Sequence, residues 1–512
     1  YSSQWLWAIN IRRSIVKKLT RTFALIMGFV MLFSVVACGG NTESESNADS
    51  KETDVISTEE KTDAPGTDAP EVNKESEANE EESSGEGKVL NIWGWNDEFQ
   101  GLFNTYFKDV PDDVEVKFTL VPNDDNAYQN ALDEALLNQE NASDDDKIDL
   151  FLVEADYALK YVNSDYTLDI INDVGLTEDD IAGQYTYTQE IVTDGDGAIK
   201  GTSWQATPGL FAYRRSIAKD VLGTDDPVEV QAALSDWDKF YEVAEMANEK
   251  GYKMLSGYDD SYRTFSNNVS APWVDENNNI IIDDNIYKWI EQTKDFTDKG
   301  YTNESSLWDD QWAADQGSEG NVFGFFYSTW GINFTLLGNA LDTPLPDGVS
   351  ATGDAEAYKA ATEGNGIFGD YGVVEGPQNY YWGGSWLCAA AGSDNLELVQ
   401  NIMRKMTCDP DTLLNITKDT QDFTNNVEAM ETLAKDDNFA SAFLGGQNHI
   451  ALFAESAKGI DMSNISAYDQ GLNEGIQTAF RDYFNGTIDY DTALDNFYTA
   501  AIEKYPELNR PD

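Results

Sequence analysis

Carboxylates and indoles are the side chains with which this sequence could do chemistry. Glu98, Glu154, Asp156 and Asp309 could supply the facing acid pair that cleaves a glycosidic bond. The chain holds 93 Asp and Glu, however. Some pair of carboxylates near any cleft is then inevitable, and the same groups can simply accept hydrogen bonds from hydroxyls. There are 13 Trp. Indole faces suit the apolar C–H faces of sugars, although any single Trp is by default a core residue. His449 is the one histidine, which argues against a Ser-His-Asp triad, a His-based metal centre and a Cys-His pair. TDGDGAIK (193–200) lacks the spaced ligands and closing Glu of a calcium loop, so it reads as a hairpin turn. No catalysis, cofactor or metal is expected.

The charge balance narrows the partners. Against the acids stand 33 basic residues, a net charge of −60. Nucleic acid is excluded, since phosphate binding needs Lys and Arg. Aromatics make up 12% of the chain, so the acids coat a folded body rather than a disordered one. Of the three Cys, Cys388 and Cys408 show no metal spacing. They form either a disulfide or two buried thiols, the latter being preferred.

The third is Cys38. Arg12, Arg13, Lys17, Lys18 and Arg21 precede the apolar run FALIMGFVMLFSVV (23–36), and then come Ala37, Cys38 and Gly39. This order predicts a secretory signal over 1–37, too short to span a bilayer. VVAC matches a bacterial lipobox, so Cys38 is expected to carry lipid. A signal anchor with an incidental Cys is the alternative. Residues 38–87 read as the lipidated Cys and a disordered acidic tether, because they hold too little apolar surface to offset ordering entropy.

The elements that must position the chemistry begin at KVLNIWGW (88–95), an apolar strand of the kind covered on both faces. A helix over 99–107 with Asp97 as N-cap, a strand at 114–122, a helix at 127–137 and a strand at 147–156 follow. This is the doubly wound α/β alternation, in which ligands sit at the carboxyl ends of strands. Trp95, Asn96, Glu98, Glu154 and Asp156 fall at those ends. Further on, a helix opens at Asp236-Trp237, ENNN suits a hairpin, and helices are expected over 284–299 and 307–315. NVFGFFYSTW (321–330) is strand-like and delivers Trp330 to a loop. Residues 341–370 look weakly structured. FGDYGVVEGP and YYWGGSWLCAAAG read as return strands. SDNLELVQNIMRKMTCD is a capped amphipathic helix, and helices continue through 490–504.

The stretch GTSWQATPGLFAYRR, from Gly201, ties these together as a strand, a small-residue crossing at Thr207-Pro208-Gly209, and a second strand. It resembles the hinge strand of the family 1 extracellular solute-binding proteins. Asp236-Trp237, Trp330, the return strands and SDNLELVQNIMRKMTCD resemble further segments of that family, over about 88–505. The resemblance implies a two-lobed, type II periplasmic-binding-protein-like α/β fold, each lobe a mixed, mostly parallel sheet flanked by helices. Lobe 1 would comprise 88–207 and 371–411, and lobe 2 would comprise 208–370 and 412–512. It implies an oligosaccharide receptor that serves an ABC-transporter permease pair. Such a receptor would be monomeric and lipid-anchored on the outer face of the cytoplasmic membrane of a Gram-positive-type bacterium. Trp95, Asn96, Glu98, Glu154, Asp156, Trp204, Gln205, Trp330, Trp382 and Trp386 would then line the interlobe cleft. The alternatives are a surface glycoside hydrolase and a carbohydrate-binding or adhesion-type lipoprotein.

Overall fold

The computed structural model describes residues 88–511; the expected signal, Cys38 and the tether lie outside them. VLNIWG forms β1 (Val89–Gly94), buried almost throughout. Helix α1 (Glu98–Tyr106) follows. Asp97 does not cap it with its side chain; Asn96 Oδ1 accepts the Glu98 N–H instead, at 3.1 Å. Then come β2 (Glu115–Leu120), α2 (Ala127–Leu137) and β3 (Leu150–Glu154). β1 runs parallel between β2 and β3, as the alternation predicts. A strand from much later in the chain, Ser385–Ala389, closes this first sheet antiparallel to β3.

The crossing to the second sheet is made of isolated bridges, not of the expected continuous strand. Thr202 bridges Leu387, Gln205 bridges Thr424 and Pro208 bridges Tyr381. The Tyr187 hydroxyl donates to the Ala206 carbonyl at 2.7 Å, and Ser203 Oγ donates to the Ser385 carbonyl at 2.7 Å. TDGDGAIK is the predicted hairpin turn: Asp194 accepts the N–H groups of Asp196 and Ala198, and Thr193 bridges Ile199.

β4 (Gly209–Arg214) starts the second sheet and is wholly buried. α3 (Trp237–Glu249) opens on Asp236, whose carboxylate accepts the Lys239 N–H. α4 (Tyr262–Ser266) and α5 (Asp284–Asp298) follow. The helix expected over 307–315 is only α6 (Asp310–Asp315), because Asp309 caps it there and Trp308 takes a left-handed φ of 72°. β5 (Gly324–Ser328) comes next. The stretch 341–370 contains a helix, Ala355–Thr362, capped by Asp354.

β6 (Tyr371–Val374) corrects two expectations. It pairs antiparallel with β4, opposite the edge taken by β5, so FGDYGVVEGP stays in the second sheet rather than returning to the first. That sheet is also wholly antiparallel, not mostly parallel. The reason is directional. β4 leads away from the crossing, and β5 and β6 both lead back to it. Gly209 pairs with Ser328 and Phe211 with Val374. The residues that leave β5 and β6 therefore emerge at the crossing.

β7 (Ser385–Ala389) makes the return. α7 (Leu396–Met403) lacks the side-chain cap expected of it, because Asn395 Nδ2 turns to the Val89 carbonyl and to Asp149. α8 (Pro410–Thr420) is capped by Asp409. α9 (Asp469–Phe484) and α10 (Tyr490–Lys504) join α5 in an apolar cluster around Trp289, Phe480 and Phe497. Cys388 and Cys408 are both free and buried.

Candidate functional site

The carboxyl ends of β1 and β3 deliver the first group of side chains. Trp95 is half-buried, with its ring edge-on to Tyr128 and Tyr157 at 5.6 and 6.2 Å. Glu154 accepts the Asp156 N–H at 2.8 Å, which caps the 3-10 turn Ala155–Tyr157. Burial first, and the Asp156 charge second, push the Glu154 carboxyl up to about 8, while Arg263 works against both. Arg263, from α4, holds Asp156 in a fork: Nη1 donates to Oδ1 at 2.6 Å and Nη2 to Oδ2 at 2.5 Å. Its guanidinium lies 5.9 Å from the ring centre of Trp382.

A second polar group centres on Gln205, which is buried. Nε2 donates to Glu98 Oε1 at 2.7 Å and approaches Asp422 Oδ2 at 3.4 Å, while Oε1 accepts the Ser385 N–H at 3.1 Å. Glu98 stands among crowded protein atoms, yet its side chain is open to solvent. Desolvation, and then the charge of Asp422, raise its carboxyl. Desolvation likewise raises Asp422.

The third group is aromatic. Trp330 leaves β5 at the crossing, and its Nε1–H donates to the Trp382 carbonyl at 2.9 Å. The two indoles meet edge to face at 5.2 Å. Trp308 stacks on Trp330 at 6.2 Å with 19° between planes, and it also touches Trp312 and Trp382. Trp308 is 58% exposed, and Phe334, 6.4 Å beyond Trp330, is 79% exposed. Gly383 and Gly384 both have positive φ. A Cβ on Gly383 would come within 3.0 Å of Trp330 Nε1, so the glycine pair lets an indole approach the backbone.

Two of the sequence-named tryptophans lie elsewhere. Trp204 is 2% exposed and packs on Phe99 at 5.2 Å. Trp386 is 1% exposed and donates to the Thr188 carbonyl at 2.8 Å. The structure buries both where a ligand ring was expected to stack. Trp330 and Trp382 come together, as do Glu154 with Asp156, and Glu98 with Asn96 and Gln205. Arg263, Trp308, Phe334 and Asp422 are additions that sequence reasoning missed. A signal existed for Arg263, one of only six arginines after residue 88 in an acid-rich chain.

Two concavities lie away from these groups. One of ≈ 380 Å³ is lined by Tyr185, Tyr187, Glu431 and Lys458, and one of ≈ 690 Å³ by Asp180, Arg404, Cys408 and Asp409. Neither contains a ligand-binding residue named from the sequence. Among the described residues, no cluster of three or more His, Cys, Asp or Glu is arranged to hold a metal. No helix among them is long and apolar enough to cross a membrane.

The model of the bacterial extracellular solute-binding protein family matches residues 102–441. A solved extracellular solute-binding protein of family 1 is 17% identical, with a TM-score of 0.62 over 81% of this chain and 99% of that one. An ABC-transporter-associated binding protein of B. animalis subsp. lactis, solved with β-1,6-galactobiose, is 14% identical. It has a TM-score of 0.57 over 83% of this chain and 100% of its own. A Staphylococcus aureus extracellular solute-binding protein solved with maltose is 15% identical, with a TM-score of 0.53 over 82% and 98%. These likenesses establish a two-lobed α/β fold. No curated protein sequence matches the chain.

Proposed function

The chain belongs to the bacterial extracellular solute-binding protein family, and from that premise we propose that it captures an oligosaccharide between two lobes and delivers it to an ABC importer. The observation that carries this reading is the aromatic row: Trp308 stacked on Trp330, with Trp382 against them, while Glu98, held by buried Gln205, and Glu154 offer carboxylates to hydroxyls. Binding sites of this class combine apolar walls with a few placed polar groups. The structural neighbours solved with maltose and with β-1,6-galactobiose support a glycan as the ligand class. On this reading Trp95, Asn96, Trp330 and Trp382 line the cleft, and Trp204 and Trp386 brace it from behind. The first lobe is built on the first sheet, the second on the sheet of β4, β5 and β6. Cys38 carries the lipid that holds the receptor at the outer face of the membrane, so Cys38→Ser should accumulate unprocessed or released protein. Unchanged processing and detergent partitioning would overturn that anchor.

The test of the main reading is a glycan panel read by thermal shift. A ligand present at 100 times its dissociation constant stabilises by about 2.7 kcal/mol. If no glycan stabilises the protein while another solute class does, the sugar reading fails. A hydrolase reading draws on Glu154, whose raised carboxyl is what a proton-donating acid needs. Incubation with whichever glycan binds separates the two: a receptor returns it intact.

A further inference from the structure

Arg263 and Asp156 belong to different halves of the molecule. Asp156 follows β3 directly, on the 3-10 turn that ends the first sheet. Arg263 is fixed to the second sheet through its own helix. Its neighbour Phe265 stacks on Trp237 at 4.7 Å, and Trp237 packs on Phe326 of β5. Tyr262 of the same helix meets Trp289 of α5 edge-on at 4.7 Å. Neither residue can follow the other if the halves part. Yet the two are joined by both guanidinium–carboxylate bonds, at 2.6 and 2.5 Å, with side chains only 23% and 26% exposed. A forked, charge-assisted contact of this kind is short-range and geometrically demanding. The neighbouring contact between α2 and α9, Gln129 Nε2 to Gln470 Oε1 at 3.4 Å, is neutral and long.

We propose that the Arg263–Asp156 fork is an interlobe clasp, which draws the two halves together before any ligand is bound and so sets the balance between open and closed cleft. Arg263 acts as a positioning residue: its charge is spent on Asp156, on the turn after β3, and on the face of Trp382. Glu154 sits on the same turn without a cation of its own among the described residues. Removing Arg263 therefore leaves the Glu154 and Asp156 carboxylates on one turn without the cation that lies between the halves.

Side-chain footprinting with hydroxyl radicals on the full-length, ligand-free protein tests this without knowledge of the ligand. Tyr381 is the reporter. It is buried, and the charges of Asp156, Arg263, Glu154 and Asp469 all reach it. Trp289, fully buried in the α5 cluster, is the folding control. Asp156→Asn keeps the shape and Arg263 in place but removes the charge. It should raise Tyr381 oxidation roughly three- to tenfold, the range expected for losing a partly buried ion pair, with Trp289 still protected. Arg263→Gln should do the same, and the charge-exchanged double variant Asp156→Arg/Arg263→Asp should restore protection. Unchanged Tyr381 oxidation in both single variants overturns the clasp. So does a double variant in which Tyr381 is oxidised as readily as in the single variants, and this comparison stands even if one single variant exposes Trp289.

Discussion

Gln205 holds Glu98 by one end of its amide and the Ser385 N–H by the other, at 2.7 and 3.1 Å. Glu98 belongs to the first turn of α1, and Ser385 is where β7 re-enters the first sheet. One buried side chain on the crossing thus fixes the Glu98 carboxylate and the returning strand together. Gln205→Leu leaves the Ser385 N–H without its acceptor in a buried place. A buried, unpaired polar group costs about 1–3 kcal/mol. The urea midpoint should fall accordingly, with an unchanged m-value. A midpoint equal to wild type would show that the two bonds do not hold the crossing.

Stability should decline as pH rises from 6.5 to 8. Glu154 is raised from 4.5 to about 8 by burial, with the Asp156 charge adding to it. The folded protein therefore keeps a proton that the unfolded chain has released, and raising the pH through this window favours unfolding. One such group contributes at most about 1.4 kcal/mol per pH unit. His449 acts in the other direction and in another window. Burial lowers it from 6.5 to about 4, so its contribution is lost as pH falls from 6.5 to 4. Glu154→Gln should reduce the decline of melting temperature between about pH 4.5 and 8, while the loss due to His449 below pH 6.5 remains. An unaltered upper limb would remove Glu154 from this account.

The buried tryptophans should behave as core. Trp386, a residue of β7, is buried with its Nε1–H on the Thr188 carbonyl, and Trp204 packs on Phe99. Replacing either by Ala should cost about 3–5 kcal/mol of stability, read by chemical denaturation. A variant that keeps its stability but loses glycan affinity would return that residue to the cleft.

Parts of this site were open to sequence reading for identifiable reasons. VLNIWG and LFLVE are apolar runs bounded by polar residues, so the strand ends that carry Trp95, Asn96 and Glu154 were legible. FFYSTW likewise placed Trp330 just past a strand. The pairing of β4 with partners more than 100 residues away leaves no local trace, which is why the antiparallel second sheet and the true place of β6 were not legible. Trp204 and Trp386 could not be separated from Trp330 and Trp382, because short segments at a crossing have no periodicity to tell an inward face from an outward one. The Gly383-Gly384 pair signalled close approach, but not that the approaching group is Trp330. Arg263 lies in a five-residue helix, too short for any pattern to announce its direction.

Trp308 offers a sharper test than the residues named from sequence, because its backbone and its side chain pull in opposite directions. A left-handed φ of 72° is unfavourable for a bulky residue, by about 1–2 kcal/mol. Such strain persists where the surroundings over-determine it, often at ligand clamps. The surroundings do so here. Ser306 N–H donates to Asp309 Oδ2 at 2.9 Å, and Arg481 reaches Ser306 Oγ while pairing with Asp259. The indole is 58% exposed, so its removal forfeits less buried area than a core tryptophan would, a loss of the same order as the backbone strain. Trp308→Gly should therefore relieve the backbone, offset the lost contacts and leave the melting temperature close to wild type. Under the proposed function the same change removes a stacking face next to Trp330, and affinity for the bound glycan should fall by about 2 kcal/mol or more, the range of a binding hot spot. Calorimetric titration and a melting curve on the one variant decide it. A variant that is less stable, with affinity intact, would make Trp308 a structural residue and the aromatic row shorter by its most exposed member.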